Sequence, residues 1–249
     1  MKKTLLIIIL IFCCGQYAAA GPGTMVVGGA APVAGSTPDP VLQLDLEDNT
    51  TGNTVVATYG SNAAVINVTN TSDISSTEHI EGSRSFQLQA NDGIAITSFT
   101  DSWFTDEIFT IELKIKGSGV GGWSNAYCRF IETSNTNAIT MIRNNSDTSI
   151  RLYLGGTLIG DFTVTDIDNT QWHTLRLVVN GTNDVCMYEK IDSGSWSSGI
   201  CDDTDPGDIT TVGTTIEFYN SVAEDKPWGQ DGGGYYVDQI IIWNSAVTP

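Results

Sequence analysis

Phe109-Thr110-Ile111-Glu112-Leu113-Lys114-Ile115-Lys116 alternates without a break: Phe109, Ile111, Leu113 and Ile115 share one parity, and Thr110, Glu112, Lys114 and Lys116 share the other. Successive side chains of an extended chain point to opposite faces, so this reads as a strand with one dry and one wet face. Similar alternation runs through 41–47, 85–89, 150–154, 158–164, 175–179 and 215–219, and no stretch places apolar residues at helical spacing. Gly, Asn, Asp and Ser clusters separate these runs, with Gly155-Gly156 and Asn180-Gly181 where hairpin turns are needed. Many half-buried strands at short spacing specify an all-β chain folded as two stacked antiparallel sheets.

Outward from that strand, the N-terminal region reads as non-domain sequence. Lys2 and Lys3, the apolar run Leu5 to Phe12 and then Ala18-Ala19-Ala20 form a secretory signal peptide over residues 1–20, cut after Ala20. The apolar run is too short to span a bilayer, so no membrane insertion is expected once it is removed. Residues 21–40 are rich in Gly, Pro and Ala without periodicity, a flexible leader. The folded domain is expected over 41–249, in a protein that is secreted or exported to the cell envelope.

Charge and cysteine content narrow the partners. The chain carries 11 basic and 29 acidic residues, a net charge of −18; loss of Lys2 and Lys3 with the signal peptide takes it to −20. Such a surface repels phosphate backbones and anionic lipid, which argues against nucleic acid and leaves neutral glycans, basic surfaces and divalent cations open. Of the cysteines beyond residue 20, Cys186 and Cys201 are separated as two neighbouring strands and a hairpin would require, and an exported protein can join them. Cys128 reads as a buried thiol. With only His79 and His173 present, a zinc site is not expected.

Three blocks in order resemble the laminin-G-like, concanavalin A-like jelly roll: 109–116; then Trp172-His173-Thr174-Leu175-Arg176-Leu177-Val178-Val179-Asn180-Gly181; then Tyr235-Tyr236-Val237-Asp238-Gln239-Ile240-Ile241-Ile242-Trp243. Leu42 to Glu47 and Gly82 to Leu88 look like that family's first strands, so the resemblance spans roughly 41–247. It implies an antiparallel β-sandwich but no particular ligand, because the fold hosts lectins, adhesion modules, glucanases, lyases and viral fibre domains.

An acid at Asp238 in an apolar strand is either solvent-facing on an edge or paired with a cation, since Asp has low strand propensity and an unpaired buried charge is costly. The resemblance implies a Ca²⁺ site where first and last strands meet, with Asp238, Asp45 or Glu47, and the carbonyl of Gly82 as ligands. The alternative is a solvated edge acid that deters strand pairing. The acid-rich stretch 201–208 does not follow the EF-hand pattern and reads as a solvated turn.

Catalysis has little support in the residues. Glucanases of the resembled fold carry Glu-x-Asp-x-x-Glu on one strand, and Glu189-Lys190-Ile191-Asp192, the nearest imitation, lacks the second Glu. His173 has the parity of Leu175 and Leu177 and reads as structural. Dispersed acids such as Glu112, Glu132 and Glu217 remain the only enzymatic alternative, a glycoside hydrolase or lyase.

Tryptophans in turn contexts carry the binding expectation. Trp123, with Asn125 beside it, Trp196, and Trp228, followed by Gln230 and Asp231, offer flat faces for the apolar side of a pyranose and polar groups for its hydroxyls. Capping the end of the sandwich is the competing role for each. Trp172 and Trp243 are expected in the core and Trp103 as a lid on it. The sequence therefore points to a non-catalytic carbohydrate-binding, lectin-like module. Shallow sites of this kind bind weakly, so retention calls for repeated presentation on an oligomer or larger surface assembly. The runner-up is a structural or adhesion role, including a virion or fibre component, without a sugar site.

Overall fold

The computed structural model describes residues 37–45, 54–55, 66–68, 73–75, 77–88, 94–96, 103–104, 107–117, 128–133, 138–143, 148–167, 169–181, 184–205, 209, 212–213, 216–218 and 235–249. The chain divides into two units, Met1–Ser36 and Thr37–Pro249, and every described residue belongs to the second. These residues form β1 (Leu42–Leu44), β2 (Thr54–Val55), β3 (Ile66–Val68), β4 (Asp73–Ser75), β5 (Ser85–Leu88), β6 (Ile94–Ile96), β7 (Ile108–Gly117) and β8 (Cys128–Thr133). They continue with β9 (Ile139–Arg143), β10 (Ser149–Leu154), β11 (Thr157–Thr163), β12 (Trp172–Asn180), β13 (Val185–Ile191), β14 (Ile200–Asp202), β15 (Ile216–Phe218) and β16 (Tyr235–Trp243). One antiparallel sheet runs β14-β13-β12-β7-β16-β5-β4 with β1 also on β16, and the other runs β11-β10-β9-β8-β15-β6-β3-β2. The result is the expected two-sheet antiparallel sandwich.

The alternating segment around Phe109 is the central strand β7, flanked by β12 and β16. Its register sets Leu113 opposite Leu175, Ile111 opposite Leu177 and Phe109 opposite Val179, which brings the apolar parity of both strands to one face. Ile240 and Ile242 of β16 extend that face. Ile131, Met141, Leu152, Phe162, Ile216 and Phe218 of the second sheet close on it in one continuous core. Each such side chain contributes about 1.5–3 kcal/mol on burial.

The other parity of β7 departs from expectation. Thr110, Glu112 and Lys114 are no more than 5% exposed, so the face read as wet is itself covered. Thr110 Oγ1 accepts the Val247 N–H at 2.8 Å and donates to the Ser245 carbonyl at 2.8 Å, and Val247 packs with Ile241 and Trp243 in a cluster separate from the main core. Trp172 and Trp243 are buried, but on this outer face rather than between the sheets. Trp103 joins the main core. Alternation predicted which residues point together; it could not show that chain beyond the strands returns over the polar side.

Strand β16 changes partner along its length: Tyr235–Val237 pairs with β5 and Ile240–Ile242 with β1, while both parts stay on β7. At the change Asp238 and Gln239 together oppose Lys114, a β-bulge with one extra residue. The β10–β11 hairpin turns on Gly155 and Gly156, whose φ values of 55° and 82° suit a type I′ turn. Cys186 and Cys201 are register partners on β13 and β14, and their sulfurs are bonded.

Candidate functional site

The bulge positions the acids read as calcium ligands. Asp238 lies on an inner strand and is 1% exposed, so it is not a solvated edge acid. Its Oδ2 accepts the N–H groups of Ile80 at 2.6 Å and Glu81 at 2.9 Å, which anchors the turn that carries Gly82. Gly82 has φ 61°, a left-handed conformation that glycine adopts without strain. Nearby, Asp45 Oδ1 accepts from the side-chain amides of Gln43 at 2.6 Å and Gln239 at 2.7 Å. Gln239 Oε1 in turn accepts from Lys114 Nζ at 2.7 Å, and Lys114 also pairs with Glu81. The fold thus brings Asp238, Asp45 and the Gly82 turn together; Glu47 lies outside the described residues.

Calcium takes about six to eight oxygen ligands. In this cluster the carboxylate oxygens accept from backbone and side-chain N–H groups, and the positive charge is the Lys114 ammonium. Asp184, Cys186 and Cys201, a group with metal-ligand spacing among the described residues, has both sulfurs tied in the disulfide.

The hairpin joining β13 to β14 carries Trp196 onto the covered face of the first sheet. Two cross-strand rows lie there: Tyr188, Arg176, Glu112 and Ile241, and next to it Lys190, Thr174 and Lys114. Arg176 donates from Nε, at 2.8 Å, and from Nη2 to Glu112 Oε2. Its guanidinium carbon lies 4.5 Å from the Trp196 ring centroid and 5.5 Å from that of Trp243, within cation–π range of both. The hairpin is tied to β13 by an antiparallel bridge between Lys190 and Trp196, by the Ser197 N–H on the Glu189 carbonyl at 2.7 Å, and by the Glu189 N–H on Ser197 Oγ at 3.0 Å. Gly199, with φ 78°, closes the hairpin where any side chain would start 2.4 Å from the Tyr188 ring. Trp196 is held in place yet partly exposed, and Lys190 Nζ sits 5.6 Å from its centroid.

His173 is fully buried at the edge of the core. Its Nδ1 lies 2.8 Å from Glu189 Oε1 and its Nε2 3.1 Å from Asn169 Oδ1. Burial pushes the Glu189 carboxyl up, but the His173 contact, the Thr165 N–H and the Thr165 hydroxyl together hold it below its ordinary value of 4.5. The motif-like run Glu189 to Asp192 is therefore divided by strand parity: Glu189 turns inward to His173, while Asp192 accepts the Trp172 N–H at 2.9 Å.

Trp123, Asn125, Trp228, Gln230 and Asp231 lie outside the described residues. The strand ends that flank their segments are nonetheless neighbours. Gly117 pairs with Tyr235 in the first sheet, and Phe218 pairs with Ile131, close to the start of β8, in the second. The Trp196 hairpin follows from the same end, because Trp172 pairs with Lys116 and His173 with Ile191. The sequence reading assigns Arg176 and Lys190 to no site and offers Glu112 only as one of several dispersed acids. A charged residue at 176 between Leu175 and Leu177 was the available signal, but it names no partner.

No protein-family model and no curated protein matches the chain. Solved structures do. The binding domain of botulinum neurotoxin serotype D superposes with a TM-score of 0.62 at 14% identity, over 84% of this chain and 49% of that one. The binding domain of botulinum neurotoxin DC in complex with SialylT gives 0.60 at 14% identity, over 84% and 48%. The binding domain of Paraclostridial Mosquitocidal Protein 1 gives 0.57 at 15% identity, over 84% and 49%. The chain spans about half the length of these domains. At such identity the likeness establishes a shared β-sandwich fold.

Proposed function

We propose that this chain is a secreted, non-catalytic carbohydrate-binding module of the laminin-G-like, concanavalin A-like kind, and that sugar is bound on the outer face of the first sheet, where Trp196 stands. The observation that carries this reading is the state of Trp196: an indole fixed by Arg176 and the hairpin ladder, yet partly open to solvent. A rigid, exposed aromatic face loses little freedom when a pyranose stacks on it. A non-catalytic role is supported by His173 being fully buried and Glu112 being pinned by Arg176.

The similar toxin domains add a motive for the ligand class. One was solved in complex with SialylT, and cell entry of another, from botulinum neurotoxin type C, depends on interaction with two ganglioside molecules. The signal-peptide pattern supports export, and among the described residues no helix is long and apolar enough to cross a membrane. A structural or adhesion role, including a fibre or virion component, is the second reading. Its support is the exposure of Leu158 (47%) and Ile200 (44%) on the outermost strands β11 and β14, where a neighbouring subunit could cover them.

A glycan array and a soluble-polysaccharide screen on the intact protein and on Trp196→Ala test the proposal. Binding by the native protein that is lost in a folded variant supports a lectin-like module. A blank with folded native protein overturns it and favours the structural reading, which sedimentation would then show as a defined oligomer.

A further inference from the structure

We infer that Lys190 and Trp196 together select sugars that carry a carboxylate. The inference rests on the glycan-binding reading and narrows it.

The first observation is a charge without a counter-ion in a strongly acidic protein. Among the cations whose side chains are described, Lys114 pairs with Glu81, Lys116 with Glu78, Arg151 with Asp161 and Arg176 with Glu112, and Arg84 also has a partner. Among the described residues Lys190 has no carboxylate partner; its ammonium instead meets the Trp196 ring. The residue is half-buried, and such a lysine packs its methylene stem on the protein while its head stays within reach of solvent. The nearest acid in the hairpin, Asp192, is committed to the Trp172 N–H at 2.9 Å and the Gln171 side-chain amide at 3.2 Å.

The second observation is an unfilled polar position beside it. Thr174, the β-ladder partner of Lys190, is 1% exposed, and its Oγ1 has no hydrogen-bond partner. A buried hydroxyl is ordinarily bonded, so the floor next to Lys190 calls for a water or ligand oxygen. On the same face, Arg176 is neutralised by Glu112 and supports the indole, which leaves Lys190 to meet an incoming anion.

These features distinguish two sugar classes. A neutral pyranose gains the stacking surface of Trp196 and leaves the ammonium as it was. A uronic or sialic acid gains the same surface and adds a charge-assisted hydrogen bond from Lys190. The net charge of −18 repels anions at long range, so the preference depends on this short-range contact and weakens with salt.

Titration calorimetry of the intact protein with sialyllactose and trigalacturonate, against lactose and galactotriose, tests the assignment. The acidic sugars should bind about tenfold more tightly at low salt. That preference should disappear in Lys190→Gln at unchanged thermal midpoint and return in Lys190→Arg. Equal affinity for acidic and neutral sugars, or a preference that survives in Lys190→Gln, overturns the inference while leaving the glycan reading in place. Absence of binding to every sugar, here and on the array, removes both.

Discussion

Lys114 Nζ donates to Gln239 Oε1 at 2.7 Å across the bulge of β16, and through Gln239 it is linked to Asp45 at the end of the opening strand. With Glu81 as its second partner, one ammonium joins β7, the closing strand, the opening strand and the 77–84 turn. Lys114→Met should lower stability by about 1–3 kcal/mol in urea unfolding. The lower end is set by Glu81, which is half exposed and can be rehydrated once its partner is gone.

The same cluster leads to an expectation for metal. Its acids already accept from protein N–H groups, so the thermal midpoint of the native protein should move by less than about 1 °C between millimolar calcium and excess chelator, since a ligand stabilises only the state that binds it. A rise of several degrees with calcium would instead support Asp238 and Asp45 as metal ligands.

Arg176 is the post on which the outer layer stands. It neutralises Glu112, which is 5% exposed, and lies over the rings of Trp196 and Trp243. Arg176→Ala leaves a buried carboxylate without its cation and should cost about 3–5 kcal/mol by chemical denaturation. The double variant with Glu112→Gln should lose less than the sum of the two single changes, because the stranded charge is then absent.

Glu189 makes stability depend on pH at the acid end. Its folded pKa lies below the ordinary 4.5, so its contribution is complete above about that value and is lost as pH falls through the lower folded value. Glu189→Gln should therefore be less stable than the native protein at neutral pH, with the difference shrinking steadily on acidification below about pH 4.5. Thermal midpoints of both proteins from pH 3 to 7, about half a unit apart, would show converging curves; parallel curves would exclude Glu189 as the source.

How much of this was legible in the residues differs between fold and site. The parity of 109–116 and of 175–179 was enough for two stacked sheets, because a period of two depends only on neighbouring residues and the alternation of an extended chain. Gly155 and Gly156 marked their hairpin for the same local reason. The wet face of β7 was misread, since parity says nothing of segments that return over a sheet from far along the chain. Thr110 meets Val247, and Asp238 meets the amides of Ile80 and Glu81.

The residue pattern was thus sufficient for an all-β sandwich, for a strongly acidic chain, and for naming Trp196 as a candidate binding residue. That Asp238 meets backbone amides, that Arg176 is stacked rather than solvated, and which described lysine has no carboxylate partner among the described residues depended on contacts that the order of residues does not display. Those pairings follow from strand order and from the bulge at Asp238–Gln239. Composition and periodicity are local properties, whereas electrostatic partnership is set by distance in space.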